Sequence, residues 1–108
     1  MRRLIIVVAC LVFGTTIAQA NMFMGQGGVS CGSYVRSARS MPDVLAWVLG
    51  YLSAKNKDDP SDFLKQPGLD AGAIDTWIQN WCRSNPLDPV ADAATSLEIE
   101  LYARALSR

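Results

Sequence analysis

Ile74-Asp75-Thr76-Trp77-Ile78-Gln79-Asn80-Trp81-Cys82 sets the apolar residues Ile74, Trp77, Ile78, Trp81 and Cys82 at i, i+3, i+4, i+7 and i+8. That spacing is one stripe along an amphipathic helix, and it turns the Cys82 side chain toward whatever the stripe packs against. Asp70 stands where an N-cap is needed, and Asn85-Pro86 closes the helix. Downstream, Asp88-Pro89 reads as an N-cap followed by proline at the first helical position. Val90, Ala94, Leu97 and Leu101 then mark a buried face, with Ala93 and Ala105 permitting close approach.

Upstream of the stripe, Pro67-Gly68 predicts a turn and 61–66 a single turn that tucks Phe63 and Leu64 inward. Asp58, Asp59 and Asp62 lack the D-x-D-x-D-G spacing and the distal glutamate of a calcium loop, so they read as a solvated connection. A further helix is expected from Ser40-Met41-Pro42-Asp43, with Ser40 as cap and Asp43 as the acidic member of a capping box, to about 55–57. Its apolar set is Val44, Leu45, Val48, Leu49 and Leu52, widened by Trp47 and Tyr51. Gly50 inside it predicts a close helix crossing, since glycine there costs up to about 1 kcal/mol against alanine. A short first helix fits 31–39, capped by Ser30, with Tyr34, Val35 and Ala38 on one side. No segment alternates as a strand does, so the expected fold is all-α, a small bundle of about four short helices.

The N-terminus has the form of an export signal. Arg2 and Arg3 precede an apolar run from Leu4 to Ile17, and Ala18-Gln19-Ala20 is a small-x-small cleavage site. A membrane span would need roughly 20 uninterrupted apolar residues. The reading is therefore a cleaved leader over 1–20, a mobile glycine-rich arm over 21–30 and a helical domain over 31–108, located in the periplasm and not membrane-bound after cleavage. Val7-Val8-Ala9-Cys10 faintly resembles a lipoprotein box, although the apolar run continues past it and Cys10 reads as one more leader residue.

Without the leader, eight Lys and Arg face ten Asp and Glu, a net charge near −2. That balance has no clustered basic face for nucleic acid. Two cysteines remain, Cys31 and Cys82, and in an oxidising compartment pairing is favoured over two buried free thiols or a metal site short of ligands. A bridge spanning that interval would stabilise the fold by about 4 kcal/mol through loop closure, a large share for a domain whose single core is only just sufficient.

The chain has no histidine. It therefore lacks the commonest general base and metal ligand, and a serine nucleophile would lack its usual activator. Gly25-Gln26-Gly27-Gly28 precedes no strand and no P-loop lysine. The carboxylate pairs Asp88 with Asp92 and Asp70 with Asp75 include two expected caps. The expectation is a non-enzyme with no cofactor and no metal.

Ser30-Cys31-Gly32-Ser33-Tyr34-Val35, Cys82-Arg83-Ser84-Asn85-Pro86, the charged stretch from Asn56 to Asp62 and the helix start Leu69-Asp70 together resemble the HdeA/HdeB superfamily over residues 30–101. The resemblance implies a periplasmic acid-stress chaperone, a folded homodimer near neutral pH that acid loosens so that newly exposed apolar surface binds unfolding clients. At about pH 2, below the ordinary carboxylate range near 4, side-chain charge would move from −2 toward +8. Trp47, Val48, Leu49 and Leu52, with Trp77, Ile78 and Trp81, are the client-binding candidates under this resemblance, and core packing accounts for the same residues. Three tryptophans and few lysines depart from the family pattern. Gly50-Tyr51 after an apolar helix, and Cys82 to Pro86 leading into an alanine-rich helix, are similar to immunity proteins of the Rap/Tai type. That second resemblance implies one cognate protein partner in place of many unfolded ones.

Overall fold

The computed structural model describes residues 23–108. The expected leader, Cys10 and the first residues of the arm lie outside them. Four α-helices form the domain: α1 (Cys31–Ser37), α2 (Pro42–Asn56), α3 (Ala71–Ser84) and α4 (Val90–Leu106). Among the described residues there is no strand, only an isolated bridge between Ser30 and Pro89. None of these helices is long and apolar enough to cross a membrane.

Helix α4 is the central element. It packs against both α2 and α3, which touch each other sparsely. Val90, Ala91, Ala93, Ala94, Leu97 and Leu101 are buried along it, and the alanines let neighbouring backbones come close. From α2 it receives Val44, Val48 and Leu52, and from α3 it receives Ile74, Ile78 and Cys82, each set at i, i+4, i+8. Burial of each of the leucine, isoleucine and valine side chains contributes about 1.5–3 kcal/mol. Among the described residues no polar or charged residue is buried.

Helix α1 lies on α3 and is fixed there covalently. Cys31 and Cys82 form a disulfide with their Cα atoms 4.7 Å apart and a sequence separation of 51. The Tyr34 hydroxyl adds a hydrogen bond to the Asp75 carboxylate, again α1 to α3. The chain before α1 is also clasped to the chain before α4. The N–H groups of Cys31 and Val90 donate to the carbonyls of Asp88 and Val29 (2.8 Å each), and that of Gly32 donates to Pro86 (2.9 Å). A side chain at Gly32 would crowd the Pro86 carbonyl, so this clasp depends on the glycine.

Two of the expected caps are present. The Ser30 hydroxyl accepts from the Ser33 N–H (3.2 Å), and the Asp70 carboxylate from the Ala73 N–H (2.8 Å). Two others differ. The first helix ends as α at Ser37 and tightens into a 3-10 turn, Ala38–Ser40, where the Ser40 hydroxyl bonds back to the Ser37 carbonyl (2.9 Å). Met41, with no side-chain bond, therefore occupies the cap position of α2. Before α4 the cap position falls to Pro89, while Asp88 is engaged through its backbone carbonyl by Cys31. Nor does a helix cross closely at Gly50, where an added β-carbon would meet nothing within 4 Å.

The 57–70 connection is held from both ends. Asn56 donates to the Asp62 carboxylate (2.8 Å) and accepts from the Leu64 N–H (3.1 Å). Gln66 donates to the Leu101 carbonyl (3.0 Å), and the Arg108 guanidinium donates to the carbonyls of Lys65 (2.6 Å) and Ser61 (2.8 Å). Phe63 is thereby seated in the core, as its expected inward turn requires.

Candidate functional site

The aromatic residues of α2 form the most elaborated surface of the domain. Tyr51 stacks on Trp47 one turn away, with centroids 5.6 Å apart and planes 13° from parallel. Phe23 meets the same indole edge-on at 6.3 Å. Residues Gly25–Gly28, expected as part of an arm, form a 3-10 turn laid over the indole, whose Nε1 donates to the Met24 carbonyl (2.8 Å). Glycine is what permits the fit: a β-carbon at Gly27 would overlap the Trp47 ring, and Gly25 adopts φ +78°.

The far edge of the stack is tied to α4. The Tyr51 hydroxyl donates to the Glu98 carboxylate (2.7 Å) and lies 3.3 Å from the Thr95 hydroxyl. Burial raises the Tyr51 phenol above its ordinary pKa, and Glu98 adds to the rise while the Thr95 contact opposes it. Lys55 stands 5.8 Å from the centre of the Tyr51 ring, within cation–π range.

The client-binding candidates divide by location. Val48, Leu52 and Ile78 are fully buried in the core. Trp47, Leu49, Trp77 and Trp81 are half-buried at its margin. Trp77 borders a small depression of about 150 Å³ with Leu69, Ile74, Leu97 and Arg104, on the α3 side of α4. Because α4 stands between α2 and α3, Trp47 and Trp77 lie on different flanks of the central helix. Cys31 and Cys82 meet as the disulfide.

Sequence reasoning missed two features. The turn over Trp47 was legible only in the alternation of Gly25 and Gly27, and its target lies 23 residues away at the closest hydrogen bond. The outer side of α4 carries Ile99, Tyr102 and Leu106, all exposed, a pattern hidden by the apolar residues of the opposite face.

Elsewhere, Arg36, Arg39, Ser37 and Ser40 border an open depression of about 610 Å³ beside α3, floored by Asp75 and Gln79. The Asp75 carboxylate is occupied there by Tyr34 and by the Gln79 amide (2.9 Å). The Asp59 carboxylate is held below its ordinary pKa by hydrogen bonding from Ser61, whose N–H lies at 2.8 Å. Among the described residues no group of three His, Cys, Asp or Glu side chains is arranged to hold a metal ion.

Compared with known proteins, the chain matches no family model, no curated protein and no solved structure at a significant level.

Proposed function

We propose that the protein is a non-enzymatic HdeA/HdeB-like acid-stress chaperone, acting in the periplasm once its leader has been removed. The observation that carries this reading is the covered aromatic surface on α2: the Trp47–Tyr51 stack lies beneath a short turn and is tethered to the central helix through a carboxylate. In strong acid, where carboxylates as a class lose their charge, charge-assisted bonds of this kind weaken, since hydrogen bonds to charged groups contribute about 1.5–3 kcal/mol and neutral ones about 0.5–1.5. The Tyr34–Asp75 bond between α1 and α3 is a second phenol–carboxylate bond of this kind. Repulsion among the remaining Lys and Arg side chains then favours opening. The disulfide limits that opening, because α1 stays joined to α3 while α2 and its N-terminal cover come free. Trp47 and Leu49, with the Val48 and Leu52 side chains they shield, become surface for an unfolding client.

The test is aggregation of an unrelated client protein at about pH 2, where carboxylates are protonated, and again near neutrality. The purified protein is expected to stay soluble in both and to suppress precipitation only in acid. A fold unchanged by acid, with no client protection, would sink this function and leave the reading of a binding protein with one cognate partner.

A further inference from the structure

Arg36-Ser37-Ala38-Arg39-Ser40 spans the junction where α1 gives way to the 3-10 turn Ala38–Ser40. The chain bends there at Ser37 (φ −135°, ψ 21°), and Arg36 and Arg39, one on either side of the bend, border the same open depression of about 610 Å³. Both arginines are exposed. Arg36 reaches only the Ser33 hydroxyl, at 3.5 Å, and Arg39 enters no ion pair or side-chain hydrogen bond among the described residues. Two guanidinium groups on one hollow repel each other, so nothing in the fold itself accounts for their convergence.

The neighbouring carboxylate narrows what does. Asp75 borders the same hollow, yet one of its oxygens accepts from the Tyr34 hydroxyl and the other from the Gln79 amide (2.9 Å). It is committed to joining α1 and α3, and both guanidinium groups keep their N–H donors for a ligand. Such planar forks match the oxygens of carboxylates and phosphates. A carboxylate brings a single charge, whereas a phosphate monoester brings about −1.5 to −2 at neutral pH and three acceptor oxygens, enough to engage both arginines. The Ser37 hydroxyl adds a donor, and Val35 and Ala38 supply apolar wall for an organic group.

We propose that the hollow between α1 and α3 binds a phosphate monoester, its phosphoryl oxygens held by Arg36 and Arg39 with Ser37 beside them, and its organic part resting on Val35 and Ala38. The same chemistry is offered by a free phosphorylated metabolite and by the headgroup of a phosphatidate lipid. This site is separate from the aromatic surface of α2, and its occupancy does not depend on the acid response.

Amide NMR of the isotope-labelled protein, titrated with glycerol phosphate at neutral pH, tests the soluble source. The expected result is saturable movement of the Ser37 to Ser40 resonances, with a Kd in the millimolar range and no movement at Lys55 or Lys57. Arg36→Ala and Arg39→Ala each weaken binding by about tenfold, whereas Lys57→Ala, the same change of charge on α2, leaves it unchanged. Arg36→Lys and Arg39→Lys keep the charge but not the fork, and give smaller losses. Asp75→Asn tightens binding several-fold, because an oxygen remains to accept from Tyr34 while the only acidic side chain bordering the hollow is gone. A variant that merely damaged the fold would weaken binding instead. Co-sedimentation with phosphatidylcholine vesicles, with and without phosphatidate, tests the other source. Retention that requires phosphatidate and both arginines assigns a lipid headgroup, and its absence beside saturable binding of glycerol phosphate assigns a free metabolite. Failure of both arms would overturn the proposal, as would binding indifferent to Arg36→Ala and Arg39→Ala or equally weakened by Lys57→Ala.

Discussion

Trp47 occupies the space that a side chain at Gly27 would need, so the turn before α1 and the indole of α2 fit together only through that glycine. Replacing Gly27 by alanine forces the turn off the ring or the ring out of its stack, at a cost of about 1–3 kcal/mol for an overpacked contact. The expected result is a lower melting temperature and a weaker near-UV circular dichroism band from the Trp47–Tyr51 stack. Gly28→Ala is the control, because a β-carbon there meets nothing within 4 Å. Equal behaviour of the two variants would mean that the turn does not seat on Trp47.

At Gly50 the expectation reverses. The residue is exposed in the middle of α2 with open space around its Cα. Alanine there keeps every contact and removes the entropic cost of glycine, stabilising the protein by about 0.5–1 kcal/mol. For a domain of this size that is a rise of roughly 2–8 °C in Tm. A fall in Tm would reinstate the close crossing that the sequence pattern implied.

What could be read from the sequence was what local chemistry decides. The Ile74 to Cys82 stripe needs only helical periodicity, and Ser30 and Asp70 cap because a side-chain oxygen reaches an N–H three residues on. Ser40 and Asp88 have the same side-chain chemistry but not the cap position. Ser40 is drawn into a 3-10 turn, and Asp88 precedes a clasp to Cys31 that only the tertiary fold creates. The aromatic surface on α2 was legible as residues but not as a covered site, because the cover comes from a glycine turn with no periodicity of its own. The outer row of α4 was obscured by the helix being apolar on two sides, which blurs the contrast that marks a single buried face.

The disulfide should dominate the stability of the domain. Cys31 and Cys82 close 51 residues, for which loop-closure entropy corresponds to about 4 kcal/mol, against a total of about 5–15 kcal/mol for ordinary domains. The double variant Cys31→Ser, Cys82→Ser is expected to unfold at a much lower urea concentration than the oxidised protein. Dithiothreitol on the wild type should reproduce that midpoint. Coincident midpoints for oxidised and reduced protein would show that α1 is held to α3 by packing alone.

Alkaline pH provides a separate handle on the α1–α3 contact. The Tyr34 phenol is raised well above its ordinary pKa, first by burial and then by its hydrogen bond and charge interaction with Asp75. In the unfolded chain a phenol ionises near pH 10 (an approximate model value), so folding stability from Tyr34 is fully present below about that pH. It is lost as pH rises toward the higher folded value, because the unfolded state then gives up a proton that the folded state retains. Tyr34→Phe should therefore flatten the decline of stability above about pH 10, while lowering stability near neutrality by about 1.5–3 kcal/mol for a lost hydrogen bond to a carboxylate. Urea titrations of both proteins at a series of alkaline pH values measure the two slopes, with the Lys side chains contributing equally to each. Parallel slopes would show that the Tyr34 hydroxyl is open to solvent in solution and that Asp75 does not hold it.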